Sequence, residues 1–242
     1  MARVIFNADD LGLSKGVNEG IVHCYKNGVV NSASLMTTTV HFEETIELIF
    51  DKQLENIGLH FNLTEGIPLL PNHKTLLNSD KQFQRKIHEL GNLDLKEVYN
   101  ELEAQLLKAV DAGVKINHLD SHHHIHMTAK LRKVFVKLSK EYNLPLRRFN
   151  NTARHPIKVW SFYQDTKVAK FFTKDFSADF YDDQATKDKL LFLLNNYKGR
   201  DLEIMCHPGF KDDENGIYNH QREEELQILC NDEVIQQVNA MR

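Results

Sequence analysis

The chain has 242 residues, long enough to bury a sizeable core, and an α/β barrel of this length routinely forms one domain. It is 41% hydrophobic and 26% charged, with 30 basic residues against 34 acidic ones and a formal net charge of -4. That balance, with no basic run, excludes a nucleic-acid footprint or attraction to an anionic membrane and points to a small, neutral molecule as partner.

Cys24, Cys206 and Cys230 are an odd count with no CxxC spacing. They argue against a disulfide framework and fit a reducing compartment. The opening "MARVIFNADD" reaches two acids too early for a signal-peptide apolar core, and no apolar run approaches transmembrane length. The expectation is a soluble, cytoplasmic protein; nothing in the composition decides whether it forms a homo-oligomer.

In chain order, "ARVIFNADD" is a β-branched apolar run that predicts a buried strand with acids at its C-terminal end. Gly16 to Gly28 places Val17, Ile21, Cys24 and Tyr25 at helical spacing, and Val29 to Thr38 predicts a second strand. The pattern then repeats: helix in "FEETIELIFDKQ", strand in "NIGLHFNLTEG". From about 67 to 92 the chain carries two prolines and little periodicity, an excursion read as a lid or rim insertion. Beyond it, "DLKEVYNELEAQLLKAVDAG" predicts a helix, "VKINHLDSHHH" a strand and loop, "TAKLRKVFVKLSKEYN" a helix and "LPLRRFN" a strand.

Asn151 to Tyr181 is aromatic-rich, with a strand expected within "KFFTKDFSADF"; Trp160 and Tyr163 there can stack on a sugar ring or simply pack in a core. "ATKDKLLFLLNNYKG" predicts a helix, "DLEIMCHPGF" a strand and turn, and "REEELQILCNDEVIQQVNA" one last helix. Strands alternate with helices and no composition break marks a boundary. The expectation is a single domain over 1–242, an α/β fold with parallel strands closed or nearly closed as a barrel, and with its chemistry at the strand C-termini.

Four predicted strands end in unusual polar residues: Asn7, Asp9 and Asp10; His60 and Asn62; His118, Asp120 and the histidine run; and His207. In a barrel these groups converge on one rim. Asp9 and Asp10 can cap a helix, or one can bind a cation while its neighbour, pointing elsewhere, takes a proton. His60 is either a satisfied core histidine or a ligand. In "HLDSHHHIH", five of 13 histidines fall in nine residues, and strand alternation puts His118, Asp120 and His122 on one face. Two imidazoles and a carboxylate from separate strands leave open coordination positions, the mark of a catalytic metal site, and Asp120 is then available to fix a ligand imidazole's tautomer. His207 in "CHPG" is either a turn residue or a general acid.

"NADDLGLSKGVNEGI", "IGLHFNLTEGIPL", "HLDSHHHIH" and "MCHPGF", in this order, resemble the YdjC/ChbG family of carbohydrate deacetylases. The resemblance implies a TIM-like β/α barrel of the deacetylase type, irregular or incompletely closed, and removal of acetyl groups from N-acetylated sugars such as chitooligosaccharides. It implies a divalent metal, magnesium, on Asp10, His60 and His122, with Asp9 as general base and His207 as acid. Asn7, Asn62, Asp120 and Arg147 fall to supporting or substrate-binding roles, Arg147 as a group that can orient the base. Family members are expected to continue into a further strand after the last helix. Imidazole ligands by themselves favour zinc, iron or cobalt over magnesium. Two other readings remain: hydrolysis of another bond such as a phosphoester, and a metal- or sugar-binding protein without turnover, which would leave Asp9 and His207 unexplained.

Overall fold

A computed structural model describes residues 3–87, 90–149, 169–213 and 218–241. Trp160 and Tyr163 lie outside them. Among the described residues, six strands, β1 (Val4–Leu11), β2 (Ser32–Leu35), β3 (Ile57–Phe61), β4 (Leu119–Ser121), β5 (Asp175–Ser177) and β6 (Leu202–Cys206), share the chain with seven α-helices. These are α1 (Lys15–Asn27), α2 (Phe42–Asp51), α3 (Leu95–Asp111), α4 (Arg132–Glu141), α5 (Lys187–Asn196), α6 (Asn219–Leu229) and α7 (Asp232–Asn239). No described helix is long and apolar enough to cross a membrane.

The chain packs as two compact units, Met1–Leu35 with His41–Ile57 and Thr173–Arg242, and Met36–Val40 with Gly58–Phe172. In the first, parallel strands run in the order β2-β1-β6-β5, with Asn7 opposite Ser32 on one side and Met205 on the other. Every residue of β1 after Val4 is buried, as expected of a parallel strand covered on both faces. Ser14 caps α1 by accepting from the Val17 amide, and Asp212 Oδ2 adds a second acceptor, 2.6 Å from the Gly16 amide. Gly20 lets α1 lie directly on the chain after β6, since a Cβ there would fall 2.4 Å from the Gly209 Cα.

In the second unit β3 and β4 pair in parallel with His60 opposite Asp120. The described part of the 67–92 excursion has no α-helix of its own and carries an isolated bridge, Leu77 to Phe83. Its anchor is a stripe on α3 spaced by single helical turns. Glu97 accepts from the Lys74 and Thr75 amides, both at 2.8 Å. Glu101, fully buried, accepts from the Leu69 and Leu70 amides and from His73 Nε2, each at 3.0 Å. Gln105 extends the row, donating to Glu101 and exchanging hydrogen bonds with both backbone polar groups of Asn62. Glu101→Ala strips buried donors of their acceptor and is expected to cost about 3 kcal/mol, read from denaturant unfolding.

Three expectations change. A closed TIM barrel is not formed by the described pairings: β4 is only three residues long, and "LPLRRFN" contributes isolated bridges from Leu146 to Leu119 and Phe171 rather than a strand. Pro145 cannot donate to a ladder, which limits that segment. The last helix is two helices, broken at Cys230 and restarted by Asn231, whose side chain accepts from the Glu233 amide at 3.1 Å.

Candidate active site

At the end of β1 the register against β2 slips between Ala8 and Leu11, a bulge that re-aims the residues it contains. Asp10 sits there with φ 69°, in the left-handed region, so it leaves the alternation that Asn7 and Asp9 keep. The Asn7 amide donates to Asp9 Oδ1 and to Ser34 Oγ, both at 2.8 Å, while its oxygen accepts from Ser32 Oγ at 2.7 Å. Asn7 thereby fixes the Asp9 carboxylate. Asp10 is fixed by a different group: Arg222 Nη2 of α6 lies 2.6 Å from its Oδ2.

The same helix organises His207, which follows β6. Glu225, one turn beyond Arg222 and fully buried, accepts from the His207 amide and from the Tyr218 hydroxyl at 2.8 Å, and its Oε1 lies 3.8 Å from His207 Nδ1. Tyr181 and Tyr218 stand edge-on to the imidazole, with ring centroids at 5.2 and 5.9 Å. One helix thus delivers a cation to Asp10 and an anion to His207.

In the second unit the centre is Asp120, completely buried, with His60 Nδ1 at 2.9 Å on one oxygen and Arg147 Nη2 at 2.7 Å on the other. Burial alone would raise its carboxyl, but the Arg147 guanidinium and the His60 imidazole outweigh that and hold it well below the usual carboxylate range. An ionised Asp120 only accepts, so the His60 proton sits on Nδ1 and the Nε2 lone pair points away from it. The His122 ring meets the His60 ring edge-on, 5.5 Å between centroids.

His122 Nε2 also lies 3.3 Å from Glu65 Oε2, and that hydrogen bond holds the Glu65 carboxyl below its ordinary value. Glu65, His122 and His123 offer ligand atoms all within 4.8 Å of one another. The Arg85 guanidinium lies 2.6 Å from Glu65 Oε1 and pairs with that carboxylate near the surface. Asn62 serves the loop: its Oδ1 accepts from the Thr64 and Glu65 amides and its amide donates to the Glu65 carbonyl at 2.7 Å.

The histidine run divides as its backbone dictates. His118 lies flat on Phe172, 4.1 Å between centroids, and over Gly58, where a Cβ would fall 2.3 Å from the imidazole. β4 ends at Ser121, so His122 is placed by the following 3-10 turn, with His123 and His124 at φ 53° and 52°. His126 closes the turn back onto Ser121 Oγ, 2.5 Å from its Nδ1.

Arg147, expected in a supporting role as a group that can orient the base, pairs with Asp120. Arg222, Glu225 and Glu65 were not singled out from sequence. The first two sit in "QREEELQ", which reads as a solvated charged face, and only tertiary burial distinguishes them.

These features define a parallel α/β protein whose strand ends carry carboxylates and imidazoles held by buried counter-charges. The chain belongs to the YdjC-like protein family, whose model matches residues 3–240. It is 36% identical over 245 residues to the carbohydrate deacetylase of Thermoanaerobacter pseudethanolicus, spanning 98% of this chain and 94% of that protein. To the carbohydrate deacetylase of Oceanobacillus iheyensis it is 35% identical over 233 residues, spanning 94% and 96%. A solved structure from Enterococcus faecalis V583, named for cellobiose-phosphate cleavage, superposes with a TM-score of 0.90 at 29% identity, covering 99% of this chain and 95% of that one.

Proposed function

We propose that this chain is a carbohydrate deacetylase, a metal-dependent hydrolase that removes acetyl groups from N-acetylated amino sugars, chitooligosaccharides among them. In this reading residues 1–242 work as one deacetylase domain. The observation that carries it is the Asp120–His60 pair: a buried, ionised carboxylate that sets an imidazole's tautomer is the support a metal-ligating histidine needs. Full-length relatives named carbohydrate deacetylase support the substrate class.

We assign Asp10, His60 and His122 as the ligands of a divalent cation, a donor set that leaves positions for water and substrate. Magnesium follows from the resemblance and zinc from the softness of two imidazoles. When bound, the cation supplies a Lewis acid for the acetamide carbonyl and a more acidic water. Asp9, immobilised by Asn7, accepts the proton of the attacking water. His207, held through its backbone by Glu225, protonates the departing amine as acetate leaves. Arg222 holds Asp10 in place through Oδ2.

Metal content of purified variants tests the assignment. Asp10→Ala and His122→Ala are expected to lose bound metal, and Asp9→Asn to keep it. Full retention in the first two would remove the ligand assignment.

A further inference from the structure

Cys24 in α1 and Cys230 at the end of α6 both belong to the first unit and take no part in the proposed chemistry. Both thiols are free, and their Sγ atoms share a hydrogen bond at 3.7 Å although 206 residues separate them in sequence. The backbone keeps this approach in place: Val29 donates to the Leu229 carbonyl at 3.1 Å, and a Cβ on Gly28 would fall 2.6 Å from that carbonyl oxygen and 3.0 Å from Cys230 Sγ. Glycine at 28 is therefore what lets the ends of α1 and α6 close on each other. The environments of the two sulfurs differ. Cys24 is completely buried, whereas Cys230 is partly exposed.

From this geometry we infer that Cys24 and Cys230 are a modification site, a dithiol that a low-molecular-weight disulfide such as oxidised glutathione converts into an intramolecular disulfide. The exposed member reacts first. The Cys230 thiolate attacks one glutathione sulfur, the glutathione S–S bond breaks, a mixed disulfide forms on Cys230, and one glutathione thiolate leaves. The Cys24 thiolate then attacks the Cys230 sulfur, the Cys24–Cys230 bond forms, and the second glutathione leaves. Two protein thiols are oxidised, one glutathione disulfide is reduced to two thiols, and the two protons given up by the cysteines end on glutathione. The shared hydrogen bond holds the Cys230 thiol below its ordinary value and drives that of Cys24 up, which matches this order of attack. Bond formation brings the sulfurs from 3.7 Å to about 2.05 Å. The product ties α6, with Arg222 and Glu225, to α1.

Full-length protein incubated with oxidised glutathione and analysed by intact mass and peptide mapping tests this. The wild type is expected to lose two hydrogens, with the Cys24 and Cys230 peptides linked and Cys206 free. Its melting temperature should rise by roughly 5–10 °C, reversibly on adding dithiothreitol, because the bond closes a long loop. Cys24→Ser should stop at a glutathione adduct on Cys230, which establishes the order of attack independently of stability. A wild type that ends as the glutathione adduct with Cys24 still free, or that remains unmodified, overturns the inference. None of these readouts depends on metal or on deacetylation, so the result stands apart from the proposed function.

Discussion

Asp120→Ala is expected to lower stability by about 3–5 kcal/mol, a drop in melting temperature of roughly 10 °C or more. The reason is Arg147, whose completely buried guanidinium lies 2.7 Å from Asp120 and would be left without that counter-charge. His60 loses its orienting acceptor in the same change, so metal affinity should also fall by about 10–100-fold. Asp120→Asn keeps the shape and one acceptor but removes the charge, and should fall between the two. Thermal unfolding and metal titration of the three proteins measure both effects. An alanine variant as stable as the wild type would show that the Arg147–Asp120 pair is not what holds this part of the second unit together.

Asp9→Asn is expected to reduce kcat by about 10²–10⁴-fold, the range of a lost general base, while leaving fold and metal content unchanged. The amide has nearly the volume of the carboxylate, and its oxygen can still accept from Asn7, so the local network survives. A variant that loses metal together with activity would assign Asp9 to the cation rather than to the proton.

Much of the architecture was legible because it rests on local patterns. β1 opens on the apolar run Val4 to Phe6 ahead of its polar end, and α1 and α3 begin at Ser14 and Asp94, side chains that accept from their own first-turn amides. The break between α6 and α7 was also written in the chain, as Asn231 followed by Asp232 and Glu233, but the apolar period of Leu226, Leu229, Val234 and Val238 runs through it and masks the cap. "LPLRRFN" failed as a strand because a proline and an isolated bridge at Leu146 leave too few ladder positions.

For the candidate site, strand ends identified the polar residues but not their partners. Alternation correctly separates neighbours only while the chain is a strand, and β4 stops before His122. Asp10 departs from its own strand through a bulge that no local propensity announces. Arg222 reaches Asp10 from 212 positions away, and Arg147 meets Asp120 only after the chain has passed through α4. Such pairings are tertiary facts. Before folding, a buried arginine and a solvated one have the same letter.

The most direct test of the proposed activity is acetate release from short N-acetylglucosamine oligomers by the metal-replete protein. The account predicts release by the wild type that chelation abolishes, metal restores and Asp9→Asn lacks. A fully metal-loaded wild type that releases no acetate from a panel of N-acetylated sugars would contradict it.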